Sequence, residues 1–192
     1  MEISLSEDQE VAYKSIIDWF ENQTAKKPSI SLGGYAGTGK STVISYFIKN
    51  YIVENGLNFR TMAFTGKAVS VLRRKGVESN TIHSTIYATL DKEKLEEYIM
   101  DYVRDGYTQQ EAYEFVRGGV DRADGVFWIR RRPIELSHVD LFIVDESSMV
   151  PLEIFKDLLS FNIPILFVGD HGQLPPVDNS NKNFSVMLNH IS

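Results

Sequence analysis

The sequence predicts an α/β fold, a parallel sheet with helices on both faces, and three observations carry the prediction. Val139 to Val144 and Ile163 to Val168 are nearly continuous apolar runs, which suit central strands covered on both sides. Helical and strand patterns alternate between Ser6 and Lys75. One strand pattern runs through glycines directly into a helix pattern, the succession expected of a parallel βα unit.

Residues Ser6 to Asn22 open the chain as a predicted helix. Ala12, Ile16, Trp19 and Phe20 recur at helical spacing behind Ser6-Glu7-Asp8-Gln9, which has the form of a capping box. A turn at Lys26-Lys27-Pro28 leads to a strand over Ser29 to Leu32, the glycines, and a helix from Lys40 to Glu54. Phe59 to Phe64 is a second strand and Gly66 to Lys75 a second helix. The following stretch changes character. Lys92 to Arg117 is charged and helical in pattern, and Asp124-Gly125, a tight-turn dipeptide, precedes Val126-Phe127-Trp128-Ile129. The expected organisation is one domain made of residues 1–84 and 138–192, interrupted by an inserted subdomain, 85–137, with helices and a hairpin. A short helix is expected near Phe184 to Ile191.

At 192 residues with 43% hydrophobic content, the chain has the length of one domain with a substantial core. It contains no apolar run long enough to span a bilayer and begins with an acidic, polar segment, so no membrane partner and a cytoplasmic setting are expected. The absence of cysteine removes disulfides and thiolate metal sites. A net charge of -6 argues against gripping nucleic acid by bulk positive charge, so any such contact must be local.

Gly34-Tyr35-Ala36-Gly37-Thr38-Gly39-Lys40-Ser41 satisfies the phosphate-binding G-x-x-x-x-G-K-[ST] pattern between a predicted strand and a predicted helix, the context it requires. Gly34, Ala36, Gly37, Thr38, Gly39 and the following Thr42 would surround the phosphates of ATP. Lys40 would reach the terminal phosphates and Ser41 would coordinate Mg2+. Asp145-Glu146 ends an apolar strand, where Asp145 is the candidate metal-side carboxylate and Glu146 the candidate general base. Asp170 and Gln173 follow the next strand, at the same expected edge, with Gln173 placed to sense the γ-phosphate. Each segment has a plainer alternative: a glycine-rich turn, a solvated acidic strand end, a turn rich in glycine and proline.

Taken together these segments resemble superfamily 1 helicases of the RecD-like and Dda-like branch. GYAGTGKS is similar to the family's motif I, VDESSM (Val144 to Met149) to motif II and GDHGQLPPV (Gly169 to Val177) to motif III. Gln9 resembles the adenine-reading Q motif, AFTGKAV (Ala63 to Val69) motif Ia, and Thr81-Ile82-His83-Ser84 the TIHS segment. The resemblance implies a RecA-like sheet, 5′-to-3′ movement on single-stranded DNA, and Thr65, Lys67 and His83 as strand contacts. The alternatives stay open: Gln9 as a cap only, Lys67 as a solvated lysine, His83 as a core histidine. Phe127 or Trp128 in the hairpin is either a base-stacking aromatic or core, and Arg130-Arg131-Arg132 either a phosphate contact or a solvated face.

In the family, arginines from a second RecA-like domain complete the ATP site. Nothing after Val177 is expected to supply that domain, so the 192-residue chain alone is expected to bind Mg-ATP, turn it over slowly and not unwind duplex. Two alternatives are a stand-alone PhoH-type ATPase and a non-catalytic module switched by nucleotide.

Overall fold

The structure, a computed structural model, describes residues 4–22, 28–117, 120–121, 127–170 and 184–188. It divides into two compact units, one of residues 1–82 with 138–192 and one of residues 83–137.

In the first unit, α1 (Glu7–Glu21) starts on the capping box: Gln9 N donates to Ser6 Oγ at 3.4 Å and Ser6 N donates to Gln9 Oε1 at 3.0 Å. Ala12, Ile16 and Trp19 form its buried stripe. Next come β1 (Ser29–Gly34), buried throughout, and α2 (Lys40–Phe47). The predicted helix to Glu54 instead continues as a π-helical turn over Ile48–Ile52, in which Phe47 and Tyr51 stack at 5.5 Å and 11°. β2 (Phe59–Ala63), α3 (Gly66–Arg74) and β3 (Asn80–Thr81) follow, and the short α4 (Ile82–Ile86) leads into the second unit.

The second unit holds an antiparallel sheet in the order β4 (Tyr87–Leu90), β6 (Phe127–Arg130), β5 (Val120–Asp121). The charged stretch is two helices, α5 (Lys92–Arg104) and α6 (Gln109–Arg117). Thr108 starts the second: its hydroxyl accepts from Glu111 N at 3.2 Å while Glu111 Oε2 accepts from Thr108 N at 2.8 Å, a second capping box. Tyr102, fully buried, centres a core with Tyr98, Ile99, Ala112, Val116 and Ile129. The arginine run serves this unit. Arg132 pairs with Asp105 at 2.8 Å, Arg131 with Glu135 at 3.7 Å, and Arg130 lies over the Phe115 ring at 4.5 Å. Each arginine of the run thus has a partner within this unit.

Returning to the first unit, β7 (Leu141–Asp145), α7 (Leu152–Leu159) and β8 (Ile165–Gly169) complete the centre of the sheet. The helix α7, not anticipated from the sequence, is the crossover that a parallel β7–β8 pair requires. The sequence expectation of a helix near Phe184 is corrected: residues Phe184–Leu188 form β9, parallel to β1 from Ile30 opposite Phe184 to Gly34 opposite Leu188. Without it, the outer edge of β1 would present a row of unpaired backbone groups.

The sheet order is β3-β2-β7-β8-β1-β9, all parallel. Its centre is apolar on both faces, with Ile30, Leu32, Leu141, Phe142, Leu166 and Phe167 fully buried, as the continuous apolar runs predict. Because the strands are parallel, β1, β2, β7 and β8 end at one edge. Gly33 lies opposite Gly169, and Ala63 opposite Asp145.

Candidate nucleotide-binding site

At that edge a cleft of about 410 Å³ is lined by Ala36, Gly37, Gly39, Lys40, Ser41, Ala68, Val71, Lys75, Asp145, Glu146, Gly169 and Asp170. Open α/β sheets bind ligands in this position, beyond the carboxyl ends of the strands.

The loop from β1 to α2 is shaped by Gly37 and Gly39, both at φ +85°. Only glycine adopts this conformation without steric cost, and it turns backbone N–H groups inward. At Gly39 a side chain would also run into Gln9 Nε2. Gln9 therefore does two things: it closes the capping box of α1 and donates from Nε2 to the Thr38 carbonyl at 3.3 Å. Thr38 is buried, its hydroxyl donating to the Tyr35 carbonyl at 2.9 Å, and neither it nor the half-buried Thr42 is among the cleft-lining residues.

Lys40 opens α2. Its ammonium donates to the carbonyls of Gly34 and Tyr35 and pairs with Asp170 Oδ1 at 2.9 Å. Neither α2 nor α3 carries an acid in its first turn, whereas α1, α5, α6 and α7 all do. An acid there offsets the positive helix end, so leaving it out keeps that field available to an external anion.

Asp145, the last residue of β7, is half-buried at the cleft, and its partial burial raises its pKa above the ordinary carboxylate value. The Glu146 backbone N–H, Lys75 and Lys40 oppose that rise, and Asp170 adds to it. Glu146 follows in the left-handed conformation, φ 52° and ψ 42°, uncommon for a non-glycine residue. Ser41 is exposed on the lining. The fit to a magnesium nucleotide rests on this donor set: a glycine loop at a helix N-terminus and an ammonium for phosphate oxygens, and a hydroxyl with a carboxylate for a hard divalent cation. Among the described residues no group of three or more His, Asp or Glu forms a metal site within the protein alone.

The remaining predicted positions are not among the residues that line the cleft. Thr65 caps α3, its hydroxyl accepting from Ala68 N at 3.2 Å, and Lys67 is exposed in the first turn of that helix. His83 belongs to the second unit, where it stacks on Tyr87 at 5.6 Å and meets Trp128 edge-on at 5.8 Å. Gln173, the rest of its motif beyond Asp170, and the hairpin tip at residues 122–126 lie outside the described residues. Lys75, Ala68 and Val71 line the cleft without belonging to any motif named for the nucleotide. Only their spacing along one face of α3 links them to it.

No helix among the described residues is long and apolar enough to cross a membrane. A family model described as an AAA domain, AAA_30, matches residues 5–191. The chain is 27% identical over 178 residues to the ATP-dependent DNA helicase dda of Enterobacteria phage T4, covering 91% of this chain and 33% of that protein. It is 31% identical over 177 residues to the ATP-dependent RecD2 DNA helicase of Deinococcus radiodurans, covering 91% of this chain and 19% of that protein. The chain thus spans about a third and about a fifth of those relatives. In fold it resembles the Pif1 helicase of Candida albicans, with a TM-score of 0.57, 18% identity, and coverage of 100% of this chain and 41% of that one. These relatives do not favour the stand-alone ATPase. The chain belongs to the AAA_30 family and is a RecA-like P-loop domain related to that of the RecD-like and Dda-like helicases.

Proposed function

We propose that the cleft binds Mg-ATP and that the domain drives an ATP-dependent DNA helicase moving 5′ to 3′ on single-stranded DNA. The observation that carries the nucleotide assignment is the convergence, on one cleft, of a glycine-shaped helix N-terminus lacking first-turn acids, Lys40, Ser41, Asp145 and Glu146; the strand and the polarity follow only from the resemblance to RecD-like and Dda-like helicases. Lys40 and the loop N–H groups bind the phosphates of ATP. Ser41 and Asp145 supply oxygens for Mg2+, which when bound neutralises charge on the terminal phosphates. Glu146 accepts a proton from the attacking water, Asp170 is the counter-charge of Lys40 that the phosphates come to share, and Gln9 braces the loop beside the adenine.

The strand contacts follow from chemistry of the same kind. A lysine in the first turn of a helix opposes the helix dipole, so Lys67 gains nothing for stability where it stands. With Thr65 it suits a backbone phosphate of the strand. The aromatic group of His83, Tyr87 and Trp128 suits base stacking. In this proposal a second RecA-like domain contributes the arginines that stabilise the transferring phosphoryl group, a contribution worth about a thousandfold or more in rate.

The test is Mg-ATP binding and turnover by this chain and by Lys40→Ala, with and without single-stranded DNA. Binding that depends on Lys40, with slow turnover, is expected. Binding indifferent to Lys40 would overturn the assignment of the cleft.

A further inference from the structure

Lys75 caps the C-terminus of α3, and its backbone N–H is held by the carbonyls of Val71 and Leu72. Its position is therefore set by the helix, while its side chain is exposed and lines the nucleotide cleft. A smaller recess of about 40 Å³ is walled by Lys75 together with Ser41 and Asp145. The lysine thus reaches the end of the cleft assigned to metal. Lys40 is already engaged by two carbonyls and Asp170, whereas the Lys75 ammonium has no hydrogen bond or ion pair among the described residues.

We propose that Lys75 is a second cationic contact for the terminal phosphate of the bound nucleotide and sets a preference for triphosphate over diphosphate. The inference rests on the nucleotide assignment above. Ser41 and Asp145, which would hold Mg2+ beside the terminal phosphates, line this end of the cleft, so it is also the end that would receive the γ-phosphate. That phosphate arrives beside three carboxylates, those of Asp145, Glu146 and Asp170, with Lys40 as the shared counter-charge. An ammonium on a flexible four-carbon stem, fixed only at its base, can meet it as a point charge. A diphosphate has no group at this position, so the contact discriminates between substrate and product.

The experiment measures affinities for Mg-ATP and Mg-ADP in the wild type, Lys75→Ala, Lys75→Met, Lys75→Arg and Lys40→Ala. Lys75→Ala is expected to weaken ATP binding about tenfold and change ADP binding by less than about twofold. Lys75→Met, which keeps the apolar stem over α3, should match it, and Lys75→Arg should retain most of the affinity. An equal loss for both nucleotides, no loss, or wild-type ATP affinity in Lys75→Met overturns the proposal. Lys40→Ala that leaves both affinities unchanged would instead sink the nucleotide assignment on which it stands.

Discussion

Lys40 Nζ lies 2.9 Å from Asp170 Oδ1, joining the first residue of α2 to the residue that follows β8, 130 positions later in the chain. The lysine side chain is 14% exposed and the aspartate 51%, so the pair is partly screened by solvent and is worth at most about 1 kcal/mol to the fold. Its consequence for binding is larger than its contribution to stability. An incoming phosphate must share this ammonium with a carboxylate that repels it. Asp170→Asn is therefore expected to tighten magnesium-free ATP binding by up to about fivefold, with little change in Tm. Weaker binding, measured by calorimetry in chelator, would mean that Asp170 holds Lys40 for the phosphates and does not compete with them.

Gln9 separates into two functions by its two side-chain ends. Its carbonyl oxygen accepts from Ser6 N, and its amide nitrogen donates to the Thr38 carbonyl. Glutamate keeps the first and loses the second, since a capping box accepts Glu or Gln equally. Gln9→Glu should hold Tm close to the wild type while weakening nucleotide binding, and should narrow any preference for adenine over guanine nucleotides. A loss of Tm as large as that of Gln9→Ala would show that the contact with Thr38 serves stability alone.

The parts of this molecule legible in the sequence are those where one local rule acts alone. Ser6 and Gln9 are three residues apart and satisfy each other, the strands β7 and β8 are apolar throughout, and the glycine loop needs only its own backbone. What stayed hidden depends on partners far along the chain. Residues Phe184–Leu188 are too short and too uniformly apolar for periodicity to separate helix from strand, and the free edge of β1 decides the matter. Lys75 reads as one more basic residue in Arg73-Arg74-Lys75, because only the fold carries α3 alongside α2 and β7. The break between the two helices of the inserted stretch was legible in principle, in Gly106 and in the Thr108–Glu111 pair that starts the second.

Burial at the end of β7 raises the pKa of Asp145 above its unfolded value of about 3.9, so the folded chain holds that proton more tightly than the unfolded chain does. The stability linked to this proton is fully present below the unfolded pKa and is lost as pH rises through the raised folded pKa. At neutral pH the ionised carboxylate is therefore a cost to the fold, kept for metal binding. Asp145→Asn should melt above the wild type at pH 7 in metal-free buffer, and the difference should vanish on acidification below about pH 4. The same variant should lose the magnesium dependence of ATP binding. Equal melting temperatures across the whole range would show that burial exerts no net penalty here.

Glu146 shows the same opposition in the backbone. After Asp145 the chain must turn sharply enough to return Ser147, fully buried, to the interior, and it does so with Glu146 at φ 52° and ψ 42°. A side chain in this conformation costs roughly 1–2 kcal/mol, a cost glycine does not bear. Glu146→Gly is expected to gain about 1 kcal/mol, or about 2–4 °C in Tm, while Glu146→Ala gains nothing because its Cβ remains. Both should lower ATP turnover by about a hundredfold or more while leaving ATP affinity within roughly twofold, as befits a base that acts on water and not on the nucleotide. Thermal melts alongside single-turnover hydrolysis separate the two effects. If Glu146→Gly melts no higher than Glu146→Ala, the turn is not strained. If either variant hydrolyses at the wild-type rate, another group takes the proton.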